Sequence, residues 1–372
     1  MKVALFFANV GRGGGGPEVY EMNLIRSLAA IDSSNDYHVF CLDRRGPLKC
    51  DVHQENIQFH VLHPRMRIAS MLTTLPLALK RLQPDVVHAT FIPPPLPLPN
   101  LAYTLPCTAP FAKPEFYPPL IRQRLQFLCD IGVRKSRLVL CISRHVRQYL
   151  QERFHRREEH LPIVPLAANS AFRPIPSKEC ASALREKFGL ESPYYCFSGR
   201  WEPRKNVLRI IEAFALFKRN RKTNYKLVFT GQRTWAAEES EELIARLGIG
   251  DDVVDLGKTP LADLPLLYAG AAALVHPSLW ESFGLVLLEA MRCGTPLITS
   301  NLSAMPEIAG EAALLVDPYR APEIAAAMDR ISADEALGQR LSQAGLERSK
   351  EFTWERTAHA SLSAYRKIAV MN

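Results

Sequence analysis

Two carboxylates, Glu281 and Glu289, bracket Ser282-Phe283-Gly284-Leu285 within the stretch His276-Pro-Ser-Leu-Trp-Glu-Ser-Phe-Gly-Leu-Val-Leu-Leu-Glu-Ala-Met-Arg-Cys-Gly-Thr-Pro296. An apolar run at 271–275 stops at Pro277. A short polar turn follows, and the pattern predicts an apolar helix from near Ser282 to Gly294, just before Pro296. The first amides of such a helix lack intrahelical partners and carry the positive end of the macrodipole, so Ser282–Leu285 is suited to hold an anion, with Gly284 permitting close approach. Glu289 lies among Leu285, Val286, Leu288 and Met291, where a carboxylate is costly to bury unless something hydrogen-bonds to it. Neighbouring sugar hydroxyls are suitable donors, because one carboxylate accepts from two of them at once. The plainer alternative is that Glu281 caps the helix and Glu289 is solvated.

A second cluster is Gly199-Arg-Trp-Glu-Pro-Arg-Lys-Asn206, which follows a strand-like run and precedes a helical one. Arg200 and Lys205 together can neutralise a diphosphate, Arg as a planar fork and Lys as a point charge, with Arg204 a further cation. No Asp-x-Asp sequence occurs to hold a divalent cation. The leaving-group charge would then fall on these cations and the helix start, and no metal or other cofactor is expected. Near the N-terminus, Gly13, Gly14 and Gly15 lie in a glycine run after the first apolar segment, where a side chain would obstruct the approach of a phosphate or an acceptor. Gly231 ends the strand-like run 226–230.

The elements that must position these residues alternate. In the first half, strands are expected at 3–10, 37–42, 57–62, 85–89, 101–105 and 138–142, with helices from about Pro17 and over 68–82. A proline-rich linker at 161–176 precedes a second series, with strands at 194–198, 226–230, 253–256, 271–275, 296–300 and 313–316, helices at 208–217, 238–247, 261–269 and 322–331, and a last helix at 354–368. Such alternation implies βαβ units and doubly wound parallel sheets, and 372 residues suit two domains.

The block from Glu281 to Glu289 matches the E-x7-E motif of the GT4-type retaining glycosyltransferases, and the chain resembles that family throughout, most strongly over residues 196–318. The resemblance implies a GT-B fold: two Rossmann-like domains facing across a cleft, residues 1–168 forming the acceptor domain, joined by a C-terminal helix 355–372, and 169–354 the nucleotide-sugar donor domain. It assigns the donor diphosphate to Arg200 and Lys205, the ribose hydroxyls to Glu289, donor-sugar hydroxyls to Glu281, and the glycine loop to the neighbourhood of the transferred sugar. It implies transfer of a hexose with retention to a glycan or lipid-linked acceptor. Trp201-Glu-Pro-Arg-Lys-Asn-Val-Leu208 and Ala304-Met-Pro-Glu-Ile-Ala-Gly310 look most like GDP-mannose-dependent mannosyltransferases of cell-surface polysaccharide assembly. Many members carry His-Asp after the fifth strand; here the place reads Thr104-Leu-Pro106-Cys107-Thr, which leaves the contact to the donor's 6-position open and admits a 6-deoxy sugar. His88 is expected to be a satisfied strand histidine. Alternatives are an epimerase of the UDP-N-acetylglucosamine 2-epimerase type, or a non-catalytic nucleotide-sugar-binding protein.

Composition narrows the setting. Hydrophobic residues make up 47% and charged residues 23%, as in a globular protein. Eight scattered cysteines form no C-x-x-C or Cys/His cluster, which fits a reducing cytoplasm. The start Met-Lys-Val-Ala-Leu-Phe-Phe runs into the glycine loop without a cleavage pattern and reads as a buried strand. The net charge of +8 belongs to the first half, where residues 1–172 hold 21 Lys and Arg against 13 Asp and Glu. Ten of these cations lie in 119–157 beside apolar residues such as Leu125 and Phe127, an arrangement suited either to a solvated face or to peripheral contact with anionic lipid. No nucleic-acid reader motif accompanies them.

Overall fold

The computed structural model describes residues 1–13, 15–94, 98, 100–234 and 237–371; Gly14, one of the candidates above, lies outside them. The chain divides into two compact units, Met1–Ala167 with Thr353–Asn372, and Ala168–Phe352. The expected boundaries, 168/169 and 355, fall within two residues of these.

The first unit carries β1 (Lys2–Phe6), β2 (Asp36–Cys41), β3 (Ile57–Val61), β4 (Val86–Thr90), β5 (Leu101–Thr104) and β6 (Leu138–Leu140) in the order β3-β2-β1-β4-β5-β6. Every pairing is parallel, with Val3 opposite Tyr37 on one side and Val86 on the other. Such strands are covered on both faces, which is why Val3–Phe6 and Val86–Ala89 are buried throughout. The last helix, Trp354–Val370, belongs to this unit. His88, wholly buried on β4, is hydrogen-bonded through Nδ1 to the Tyr365 hydroxyl at 2.7 Å and through Nε2 to Thr104 Oγ1 at 2.8 Å, and Thr104 meets the Tyr20 hydroxyl at 3.2 Å. Burial pushes the imidazole down to about 3, so it is a neutral strut joining that helix to β4, β5 and the helix Gly16–Ile31.

The second unit carries β7 (Tyr194–Ser198), β8 (Lys226–Thr230), β9 (Val253–Asp255), β10 (Ala273–His276), β11 (Leu297–Ser300) and β12 (Ala313–Val316), ordered β12-β11-β10-β7-β8-β9 and parallel throughout. Its core packs Tyr195, Phe197, Ile210, Phe214, Phe217 and Phe229 with Ile324 and Met328. Each sheet therefore has the doubly wound order, and each reverses once: between β1 and β4, and between β7 and β10. Ligands in such sheets bind outside the carboxyl ends of the strands at this switch point.

Several elements differ from expectation. The first strand ends at Phe6, because residues 7–13 already turn towards the glycine run. The region 68–82 is two helices, Arg67–Leu72 and Thr74–Leu82, broken at Thr73. Helices Ser177–Phe188 and Glu335–Ser349 were not among the expected elements. Seven of the ten cations of 119–157 lie on two helices, Pro119–Lys135 and Arg144–Phe154, separated by β6; Arg137, Arg156 and Arg157 lie outside them.

Candidate active site

At the second unit's switch point the loop after β7 and the loop after β10 are joined by their own side chains. Past Ser198 the chain passes Gly199, Arg200 and the buried Trp201, makes a single 3-10 turn at Pro203–Lys205, and enters the helix Val207–Arg221 through Asn206. The Asn206 side chain donates through Nδ2 to the carbonyls of Pro277 at 3.0 Å and Pro318 at 2.6 Å. The Leu279 amide donates to Arg204 O at 2.8 Å, and Arg204 Nη1 to Trp280 O at 3.4 Å. These links fix the two loops as one surface.

Glu281 is the hub of that surface. One of its oxygens, Oε1, takes an ion pair from Lys205 and another from Arg204 Nη1 at 3.0 Å, lies 3.5 Å from His276 Nε2, and is 3.5 Å from Ser278 Oγ. The Glu281 amide donates to Ser303 Oγ at 3.0 Å. Burial acts to raise this carboxyl, but Lys205 and Arg204, aided by His276, more than offset it and hold Glu281 well below the usual carboxylate range. His276 is fully buried, stacked on Phe197 at 5.7 Å between ring centres, and pushed down to about 4 by burial and by Lys205. The cluster thus holds an ionised acid, two cations and a neutral imidazole.

Sequence reasoning paired Arg200 with Lys205, whereas the structure sets Arg204 beside Lys205. Arg200 is 55% exposed and its Nε lies 3.2 Å from Glu202 Oε1, the carboxylate that Arg204 Nε also meets at 3.1 Å. Arg204 is 16% exposed, so Arg200 is the cation turned to solvent and Arg204 the one built into the floor. His276 went unnoticed because a histidine at a strand end says nothing of what it faces.

The helix after the turn is Leu285–Arg292, three residues shorter at its start than expected. Gly284 is the reason: its φ of +98° is left-handed, so it stands outside the helix as N-cap. The left-handed backbone favours glycine at this position, and a Cβ there would lie 2.4 Å from the terminal methyl of Met305, which would have to shift. Ser282 and Phe283 are buried, Phe283 edge-on to Phe352 at 6.0 Å. Leu285 opens the helix. On the same helix Glu289, partly exposed, meets the Tyr268 hydroxyl at 3.4 Å, and burial pushes its carboxyl up to about 8 despite that bond and the charge of Lys205. Gly231 has a φ of +136°, and a Cβ on it would fall 1.9 Å from Gly199 O; the loops after β7 and β8 touch there through backbone alone.

In the first unit, Gly13 and Gly15 follow β1 with φ of +73° and +70°, and a Cβ on either would meet open space. Within the protein their constraint is conformational, since no protein atom lies within 4 Å of such a Cβ. Behind them sits a carboxyl that sequence reasoning did not single out. Glu21, fully buried, accepts from the Asn9 amide at 2.8 Å, from Asn9 Nδ2 at 2.6 Å and from the Thr90 hydroxyl. Burial pushes it up to about 7. The signal was available: Glu21 shares a helix face with Leu24, Ile25 and Leu28.

Residues 182–348 match the family described as "Glycosyl transferases group 1", and residues 14–171 the one described as "Glycosyltransferase Family 4". The chain is a group 1 glycosyltransferase of family 4. It is 27% identical over 366 residues to O-antigen chain mannosyltransferase B of Escherichia coli, covering 94% of this chain and 92% of that one. It is 30% identical over 197 residues to the serotype-specific mannosyltransferase WbdA of Escherichia coli, covering 52% of this chain and 24% of that longer protein. Among solved structures, the glycosyltransferase superposes on sucrose-phosphate synthase from Thermosynechococcus elongatus with a TM-score of 0.81 at 21% identity, over the whole of both chains. Anabaena Alr3699/HepE, solved with UDP and glucose, gives 0.74 at 18% identity, over 99% of this chain and all of that one. These two likenesses speak to fold, and they agree with two Rossmann-like domains.

Proposed function

We propose that this glycosyltransferase moves mannose from GDP-mannose, with retention and without a metal, onto a glycan or lipid-linked acceptor in cell-surface polysaccharide assembly. The observation that carries the reading is the single surface made by Lys205, Arg204, Glu281 and the start of the helix Leu285–Arg292 at the second unit's switch point. Preorganised cations and helix amides at that edge suit the diphosphate of a nucleotide sugar, whose charge grows as the glycosidic bond breaks. In this reading Lys205 and the outward Arg200 hold the diphosphate, Glu289 takes the ribose hydroxyls, and Glu281 takes a hydroxyl of the sugar while keeping Lys205 in place. The mannosyltransferases among its relatives support the donor and the setting, and they favour transfer over epimerisation.

A peripheral membrane contact belongs to the same reading. The helix Pro119–Lys135 exposes Leu120 by 82%, Ile121 by 48% and Phe127 by 66%, next to Arg122 and Arg124. Further along, several cations of this region are paired within the protein: Arg134 with Asp130, Arg147 with Glu158, and Arg157 with Glu159. The contact is therefore assigned to the first half of that helix. Among the described residues no helix is long and apolar enough to cross a membrane.

Thermal-shift binding across GDP-mannose, UDP-glucose and GDP- and dTDP-linked deoxysugars identifies the donor, because a ligand stabilises the fold as the logarithm of its concentration over its affinity. GDP-mannose should give the largest shift. Turnover in EDTA and the anomeric configuration of the product by NMR test metal independence and retention, and loss of activity on chelation would remove the first.

A further inference from the structure

The first unit's switch point holds a strained aromatic residue that the transfer reading leaves unused. Phe91, the residue after β4, has a φ of +60°, a conformation rare and costly for a bulky side chain. The surroundings hold it there. Its amide donates to Thr104 O at 3.1 Å, and its carbonyl accepts from the Tyr103 hydroxyl at 2.8 Å and from Cys129 Sγ at 3.5 Å. Arg67 Nη2 spans the residue, donating to Thr90 O at 3.1 Å and Ile92 O at 3.3 Å. Five hydrogen bonds from four residues therefore fix one turn, which leaves Phe91 partly exposed at the carboxyl edge of the sheet while Ile92 beside it is buried.

Its place in the fold gives the strain a purpose. β1 and β4 are the strands between which the order reverses, and Asn9 follows the first as Phe91 follows the second. Glu21 joins the two, receiving Asn9 and Thr90 on one carboxyl group. An amide side chain after one of these strands and an aromatic ring after the other supply the chemistry of sugar binding: amide groups meet hydroxyls, and an electron-rich ring face meets the C–H bonds on the apolar side of a pyranose. Strain of this kind persists where function requires it.

We propose that Phe91 is the stacking platform for a sugar ring of the acceptor, and that Arg67 and Glu21 are positioning residues that hold it and Asn9 across the first switch point. The proposal rests on the reading of the chain as a sugar transferase, and the two can fail separately.

The probe is octyl α-D-mannopyranoside, assayed with GDP-mannose. Phe91→Asn, which a left-handed backbone tolerates, should raise the KM for the mannoside at least tenfold while the KM for GDP-mannose moves less than twofold; Phe91→Trp should stay within threefold of wild type on both. Arg67→Ala should follow Phe91→Asn in acceptor KM, with Arg67→Lys giving partial rescue. A structural role alone would shift both substrates together. An acceptor KM within twofold of wild type in Phe91→Asn, or a tryptophan variant as poor as the asparagine one, overturns the platform. Saturation-transfer NMR on the mannoside separates the two readings. If wild type binds the mannoside and Phe91→Asn does not, yet wild type transfers nothing, the platform stands and the transfer reading falls. If wild type shows no contact with the mannoside, the platform falls.

Discussion

The two sheets share one strand order and differ in what stands where it reverses. At β7 and β10 the crevice carries an ionised glutamate locked between two cations, with Glu281, Arg204 and Lys205 each 16% exposed or less. At β1 and β4 it carries Glu21, pushed up to about 7, bonded to amides and a hydroxyl. One fold thus offers two chemistries: a charged edge suited to phosphate, and a near-neutral edge suited to hydroxyls. What separates them is the company each carboxyl keeps, since burial acts to raise both.

The largest test of that contrast is to remove a cation from the charged side. Lys205→Ala leaves a buried carboxylate short of a partner and, in the proposed function, takes a cation from the donor diphosphate. It should cost about 3 kcal/mol of stability and cut kcat/KM by roughly 10²–10³-fold, read by urea unfolding and by initial rates. The arginines should divide these effects. Arg204→Ala should lose stability, while Arg200→Ala, removing a solvent-facing side chain, should lose activity and change stability by less than about 0.5 kcal/mol. Equal stability losses in the two would mean that Arg200 also belongs to the floor.

A glycine pair breaks the contrast on the backbone. Gly231→Ala drives a Cβ onto the Gly199 carbonyl at a φ of +136° and should destabilise the second unit by about 3 kcal/mol or more. Gly13→Ala meets open space at a φ of +73° and should cost about 1 kcal/mol. Thermal unfolding of the two variants compares a loop closed by contact with one shaped only by its dihedral angles.

How much of this was legible in the sequence follows the same division. Continuous apolar runs marked the twelve strands seen among the described residues, because parallel sheets covered on both faces write themselves in Val, Ile, Leu and Phe. Glu281, Glu289, Arg200 and Lys205 were legible because spacing around a turn is a local property. Whether Arg200 or Arg204 turns inward was not, since that depends on where Trp280 and Glu202 end up. The start of the helix at Leu285 was misplaced because Gly284 takes a left-handed turn that a glycine permits but does not announce. Glu21 showed in the sequence only as a carboxyl on an apolar helix face, because its partners Asn9 and Thr90 meet when β1 and β4 pair; Phe91 stayed hidden because Arg67, Tyr103 with Thr104, and Cys129 come from three separate stretches that only the whole fold gathers.

The pH dependence of binding sharpens the comparison further. Glu289 rises to about 8, so near neutrality most of it carries a proton and can offer only part of its accepting capacity to a ribose. If the nucleotide takes the ionised form, binding releases that proton, and affinity for GDP-mannose should strengthen from pH 6 to 8 and level off above. The donor's diphosphate diester does not titrate in this range, and Tyr268 and Lys205 are the titratable neighbours. Glu289→Gln should bind about tenfold more weakly at pH 8.5 and show a flat profile. Calorimetry in buffers of different ionisation enthalpy measures the proton release directly; its absence would remove Glu289 from the nucleotide contact.

The smallest expected effect concerns Glu21. Its folded value of about 7 lies above the ordinary 4.5, so the folded protein holds a proton that the unfolded chain gives up. The stability this contributes is fully present below about 4.5 and is lost as pH rises through 7. Glu21→Gln is neutral at every pH but offers one accepting oxygen where the acid offers two, so at pH 5 it should be about 1 kcal/mol less stable than wild type as Asn9 or Thr90 loses its partner. By pH 8 the wild type buries a charge and the variant does not, so the gap should close or reverse by about 1–2 kcal/mol. Urea midpoints at the two pH values decide it. A gap independent of pH would mean that Glu21 is ionised throughout, with Arg67 as its true counter-ion, and the first switch point would then resemble the second far more closely than its hydrogen bonds imply.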